Sequence, residues 1–209
     1  MADLKTNRLS VNEIPKEAEM TKNELRTSQT KGRLVAAART LFAREGYAQT
    51  STEAIIAAAG VTRGALYHHY RDKSDLFEAV CRDLAVDAAE AIRIATEDLT
   101  NPVEALEQGS LSWIDFMVRP DSRRILVIDA PGVLGRERWE ALDRELSFDL
   151  LRIGVEEAID AGAIRFSAGP TMLAILLNGA MNEIALRAEE DDVAALKAGL
   201  LELLGALKS

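Results

Sequence analysis

The stretch Thr50–Phe77, TSTEAIIAAAGVTRGALYHHYRDKSDLF, decides the fold. It divides into a short helix, a tight turn holding a glycine, a second short helix crowded with Tyr and His, and the start of a third helix. At its centre, Ala58-Ala59-Gly60-Val61-Thr62 has the spacing of a helix-turn-helix. The alanines let two helices approach closely, Gly60 is suited to the left-handed conformation that ends a helix, and Thr62 to capping the next one. The second helix, from Arg63 to Tyr70, carries donors and aromatic hydroxyls toward its N-terminal end, where a recognition helix meets base edges and phosphates. The plainer alternative is a helical corner in an ordinary all-α domain.

Charge is distributed unevenly around this segment. The chain has 209 residues and a formal net charge of −9, which as a single number argues against an anionic partner. Residues 1–27 are neutral, residues 28–82 carry +3 (eight Lys/Arg against five acids), and residues 83–209 carry −12 (12 against 24). A locally basic segment attached to an acidic remainder is compatible with DNA binding, provided the acidic part lies away from the duplex.

No apolar run approaches the roughly 18 residues a membrane span requires, and the N-terminus lacks the apolar stretch of a secretory signal. Cys81 is the single cysteine, so no internal disulfide can form, and the cytoplasm is the expected compartment. Cys81 falls among helical apolar positions, which suggests a buried, inert thiol. The two histidines, His68 and His69, are adjacent in a helix and point about 100° apart, unlike an i,i+4 metal pair. No nucleophile, base and metal set converges anywhere, so we expect no catalytic residues, no metal and no cofactor. Glu156-Glu157 and the Glu189–Asp192 run read as a solvated face and a loop.

Nearly everything else reads helical, with no strand signal beyond extended bits near 164–166 and no internal repeat. Residues 1–29 mix polar and charged residues with Pro15 and show no apolar face, so they are expected to form a mobile arm. A first helix from about Thr30 to Glu45 carries the stripe Leu34, Val35, Ala38, Leu41 and Phe42 and stops at Gly46. Thr50 with Glu53 fits a capping box for the second helix, although Ser51 fits as well; Asp72 with Asp75 fits another, opening a helix toward Asp98. Asn101-Pro102 starts a fifth helix. Pro120 ends it or opens a short sixth through Asp129, and Pro131-Gly132 and Gly135 mark a loop. A long helix follows over about 136–160. Ala161-Gly162 and Gly169-Pro170 bracket a connector to two last helices, about 171–188 and 193–207. These two are apolar around much of their circumference, which suits either a plain core or a core plus a second chain.

The motif resembles the TetR family of bacterial transcriptional regulators over about residues 30–85. The likeness rests on Ala38-Arg39-Thr40-Leu41-Phe42 with Gly46-Tyr47, on Ile55 and Ala59-Gly60-Val61, on Leu66-Tyr67 with His69-Tyr70, and on Lys73 with Leu76-Phe77. Tyr70 stands where the family more often has Phe, and the segment before Thr30 is longer than usual. Asp129–Gly135 with Trp139 looks like a C-terminal variant found in one branch. The resemblance implies an all-α chain: an arm over 1–29, a helix-turn-helix DNA-binding domain over 30–82, and a ligand-binding and dimerisation domain over 83–209. It also implies a homodimer built on about 171–207.

Carried onto the sequence, the family pattern and the chemistry of the residues name a DNA-facing set. Thr52 and Thr62 sit at helix N-termini, suited to phosphate. Arg63 suits guanine or phosphate. Gly64 and Ala65 permit close approach to base edges. Tyr67 and His69 match positions that hold the backbone, His68 lies within reach of bases or phosphate, and Lys73 matches the family's phosphate-binding lysine. For an effector, the aromatic and Met residues Trp113, Phe116, Met117, Ile128, Trp139, Phe148, Met172, Leu176 and Met181 are candidate pocket walls, with simple core filling as the alternative for each. Asn178, Asn182, Ser112 and Ser147 are candidates to orient the ligand. The expected function is a dimeric, ligand-responsive regulator that binds a near-palindromic operator, acts as a repressor and is released by a small, largely apolar effector, neutral or weakly cationic. The competing readings are a helical small-molecule carrier that does not use DNA and a DNA-organising protein without an effector.

Overall fold

The computed structural model describes residues 22–188 and 191–208. The elements are all helical: α1 Lys22–Glu45, α2 Thr52–Ala59, α3 Arg63–His69, α4 Lys73–Thr96, α5 Pro102–Met117, α6 Pro120–Ser122, α7 Ala130–Asp143, α8 Asp149–Asp160, α9 Pro170–Arg187 and α10 Val193–Gly205. Two wider π-helical turns, Arg123–Asp129 and Arg144–Phe148, join α6 to α7 and α7 to α8. The one β-type contact among the described residues is an isolated bridge between Ile164 and Lys208, beside a hydrogen bond from Arg165 N to Leu207 O (2.9 Å). It ties the 161–169 connector to the end of the chain.

α1, α2 and α3 form a small head on the first turns of α4. α1 contributes Leu34, Ala38, Leu41 and Phe42 to the core; α4 answers with Leu76, Phe77, Val80, Cys81 and Leu84. Phe42, Tyr47 and Phe77 meet edge-to-face or tilted, with centroids 5.0–5.7 Å apart. Cys81 is fully buried, which pushes its thiol well above the usual thiol range. The 24-residue α4 spans about 36 Å and continues beyond the head to pack along α5. α5, α8 and α9 complete a bundle around Leu106, Trp113, Ile114, Val155, Ala158, Leu173, Leu177 and Met181.

The head is also fixed sideways to the bundle. Asp129, closing the first π turn, accepts hydrogen bonds from Tyr47 N (2.8 Å) and Arg124 Nε (3.4 Å). Gly46, at φ +79°, lies so close to the Arg124 guanidinium that a Cβ there would fall 2.1 Å from its nearest nitrogen. Arg39 reaches Asp83 and Asp87 on α4 and Asp121 on α6 (2.6–3.4 Å). Arg138 of α7 pairs with Glu78 of α4. Asp129→Ala would leave the Tyr47 amide without its charged acceptor. The expected cost is about 1.5–3 kcal/mol, read as a lower urea midpoint at unchanged m.

Several sequence expectations need correction. α1 begins at Lys22, so residues 22–29 are helical and not a mobile arm; residues 1–21 of that expected arm lie outside the described residues. Residues 24–29 are all exposed, so this extension carries no apolar stripe to signal it. Ser51, not Thr50, caps α2 by accepting from Ala54 N (3.1 Å), whereas buried Thr50 donates to Gly46 O (2.8 Å). The expected loop at 131–135 is the first part of α7, with Pro131 in its first turn, where no amide is needed. Gly135 (φ +75°, ψ 164°) leaves the helical region, so the break expected at this glycine is present as a kink where two helices meet.

Candidate nucleic-acid interface and effector cavities

α2 and α3 are held as a rigid corner. Gly60 closes α2 at φ +59°, and its N–H returns to Ala57 O. From α1, the Arg33 guanidinium donates to the carbonyls of Ala59 and Gly60, both at the otherwise unpaired C-terminus of α2. Thr62 caps α3 by accepting from Ala65 N (3.1 Å). Asp72 caps α4 by accepting from Asp75 N (2.8 Å), and Asp75 accepts in return from Arg71 N (3.1 Å). Leu66 and Tyr70 anchor α3 in the core; burial pushes the Tyr70 phenol up to about 12.

The opposite side of α3 is open. Thr62, Arg63, Gly64, Tyr67 and His68 are exposed, and Ala65 and His69 are half-buried. Arg63 donates to Glu53 of α2 (3.1 Å) and lies over the Tyr67 ring (5.5 Å to the centroid), so three exposed side chains prearrange one another across the two helices. The Glu53 carboxyl is held below the usual carboxylate range by its own backbone N–H, by the Thr52 hydroxyl and by Arg63. Desolvation, with the nearby charges of His68 and Lys31, lowers the His69 pKa. Thr52 is half-buried in the first turn of α2 and donates to Glu53 (3.1 Å).

Lys73, at the start of α4, reaches into the turn ahead of α2. Its ammonium donates to Tyr47 O (2.8 Å) and Thr50 O (2.9 Å) and sits 4.1 Å from the Tyr47 ring centroid. Desolvation lowers its pKa. Two of its three N–H groups thus hold the turn leading into α2.

Two cavities open in the bundle, with Trp113 of α5 lining both. The first, about 300 Å³, lies between α4, α5, α8 and α9 and is mainly apolar, with Ile92, Leu106, Leu150, Ile153 and Met181 among its walls. Its polar lining includes Ser110, Ser147 and Asn178. The second, about 320 Å³, is lined by Met117, Leu126, Trp139, Asp143, Asn182 and Glu183, among others. Among the described residues no group of three or more His, Cys, Asp or Glu is placed to hold a metal, and no helix is long and apolar enough to cross a membrane.

Comparison with known proteins agrees with this geometry. The model "Bacterial regulatory proteins, tetR family" matches residues 34–80, and "Tetracyclin repressor-like, C-terminal domain" matches residues 103–208, half of the chain. The transcriptional repressor AcnR of Corynebacterium diphtheriae is 34% identical over 158 residues, covering 68% of this chain and 83% of AcnR. The chain belongs to the TetR family of bacterial regulators. The transposon Tn10 TetC protein of Escherichia coli is 29% identical over 75% of this chain and 78% of its own. A TetR-family regulator from Pectobacterium atrosepticum, known from its crystal structure, aligns with a TM-score of 0.76 at 28% identity, covering 90% of this chain and 98% of that one. TetR-family proteins are regulators of transcription, not enzymes, and this chain is one of them.

Among the expected effector residues, Trp113 and Met181 line the first cavity and Trp113, Met117 and Trp139 the second. The others line neither. Phe116 is buried beneath the Arg119 guanidinium (3.9 Å), and Phe148 packs half-buried against the core. Ile128, Met172 and Leu176 are exposed, the last two on the outer side of α9. Of the polar candidates, Ser147, Asn178 and Asn182 are in place and Ser112 is not. Sequence reasoning missed Asp143 because an acidic residue on a polar-looking helix gives no sign that a second helix will cover it.

Proposed function

We propose that this TetR-family chain works as a homodimeric, ligand-responsive repressor. In this reading residues 30–82 read DNA, and residues 83–209 bind an effector and dimerise through about 171–207. Two copies of α3 enter successive major grooves of a near-palindromic operator, and effector binding changes the angle between the heads and releases the DNA. The observation that carries the reading is the split of α3 into a buried anchor and an open donor face. Leu66 and Tyr70 are fixed in the core, while Thr62, Arg63, Tyr67 and His68 stand free of it.

On this reading Thr52, Thr62, Tyr67 and His69 serve phosphates, Arg63 and His68 face base edges, and Gly64 and Ala65 allow the approach. Lys73 serves mainly by holding the turn in front of α2, so that the α2 N-terminus and Thr52 meet the backbone in a fixed position.

The test is fluorescence anisotropy with duplex DNA from the region upstream of the chain's own gene, at several salt concentrations. Arg63→Ala should lose about 1–3 kcal/mol of operator binding and relax sequence preference. Binding by that variant equal to the parent's would remove α3 from the interface. A parent that binds no DNA at any salt concentration would leave the carrier reading standing.

A further inference from the structure

The second cavity has an electrostatic character that its apolar walls hide. Asp143, the last residue of α7, contributes a carboxylate. It accepts hydrogen bonds from two neutral donors, Ser147 Oγ (3.0 Å) and Asn178 Nδ2 (3.3 Å), and among the described residues no Lys or Arg pairs with it. Glu183 supplies a second carboxylate, already paired with Arg187 (2.5 Å), and Asn182 a neutral amide. Among the described residues no Lys or Arg lines the cavity. Both tryptophans of the chain, Trp113 and Trp139, do.

A half-buried carboxylate held by neutral donors alone is costly, and an entering cation relieves that cost. Burial also raises the Asp143 pKa above the ordinary aspartate value, the direction expected of an acid lacking a counter-charge. Indole faces attract cations as well, most strongly where water is excluded. A further observation points to a guest: Trp113 is 4% exposed, and among the described residues its indole Nε1–H has no hydrogen-bond partner. A buried donor of that kind is ordinarily satisfied, and here it belongs to a residue lining both cavities. Asp143 also leads into the wide turn Arg144–Phe148, an irregularity that often accompanies a functional site.

We infer that the second cavity takes an organic cation, an ammonium carried on an aromatic or alkyl body. Its charge meets Asp143 between the two tryptophans, and an acceptor on its body, a lone pair or an aromatic face, meets the Trp113 N–H. The inference rests on the reading that the C-terminal bundle binds an effector and narrows that effector to one charge class.

The test uses the full chain and three probes of one shape: benzyltrimethylammonium, its uncharged carbon analogue neopentylbenzene, and the anion phenylmethanesulfonate. Trp113 lines both cavities and Trp139 the second alone of the two, so Trp139 fluorescence, read with Trp113→Phe as background, reports occupancy of the second. The expected result is quenching by the ammonium at concentrations at least tenfold lower than by either other probe, and loss of that preference in Asp143→Asn. Glu183→Gln should weaken ammonium binding by a smaller factor in the same direction. Equal quenching by the neutral analogue, no quenching by any probe, or a folded Asp143→Asn that keeps the full preference would each overturn the inference. Should Asp143→Asn fail to fold by circular dichroism, the cation-to-neutral ratio of the unaltered protein decides. Operator release is read separately by anisotropy. Ammonium binding that leaves the operator complex intact would uphold the site and remove the effector reading instead.

Discussion

Replacing Leu176 and Leu203 together by Glu should convert the protein to monomers and weaken operator binding by about a hundredfold or more. Both side chains are exposed, at 56% and 63%. Met172, Ile175 and Leu186 are also exposed on α9, and with Leu176 they recur at helical spacing along one stripe. A helix with such a stripe beyond its core face needs a second apolar partner. The core face itself is occupied: Leu173, Ala174, Leu177, Met181, Ile184 and Ala185 are buried within the single chain. Carboxylates at 176 and 203 would therefore stand in water in the monomer and in an apolar contact in the proposed dimer, where burying an unpaired charge is prohibitive. The loss in DNA binding follows from bivalency, because linking two heads raises avidity by about 10²–10⁴ over one. Leu200 is unsuited to this experiment; at 2% exposure it belongs to the monomer core, and charge there would unfold the chain. Sedimentation of the double variant at micromolar concentration checks the expectation. A folded double variant that stays dimeric would move the interface elsewhere.

Phe77→Ala should cost about 3–5 kcal/mol, a large part of the roughly 5–15 kcal/mol that stabilises a domain. Phe77 is fully buried and meets Phe42 (5.1 Å) and Tyr47 (5.0 Å) edge-on, both at 75°. Tyr47 in turn supports Lys73 and gives its backbone N–H to Asp129. One truncation thus undercuts the head's core, the turn that positions α2, and the contact between head and bundle. Urea unfolding should show a far lower midpoint, and operator binding should fall with the folded fraction. A loss below about 1 kcal/mol, well under the usual range for such a truncation, would mean that the aromatic trio is not packed as described.

The head was largely legible in the sequence because its signals are local. A glycine that must adopt positive φ, hydroxyl and carboxylate caps at helix starts, and Asn101 before Pro102 each act within three or four residues. Local signals leave alternatives open where two neighbours offer the same chemistry. Thr50 and Ser51 both carry a hydroxyl, and the choice between them turns on Thr50 being drawn to the Gly46 carbonyl. The bundle was harder, because helical periodicity marks an apolar residue without saying what covers it. Trp113 and Trp139 line a cavity, Phe116 fills the core, and Met172 and Leu176 face outward, yet all five fit one sequence pattern. Asp143 becomes part of a cavity only once α5, α7 and α9 converge, and Lys73 becomes a clamp only once Tyr47 and Thr50 turn their carbonyls toward it.

The most direct test of a two-headed reader of DNA is a hydroxyl-radical footprint of the full chain on the duplex upstream of its own gene. The expected pattern is two protected half-sites related by a dyad, their centres about 34–36 Å or a multiple of that apart along one face of the helix, appearing together as protein is added. Protection of one asymmetric patch, or uniform protection without a dyad, would contradict the account.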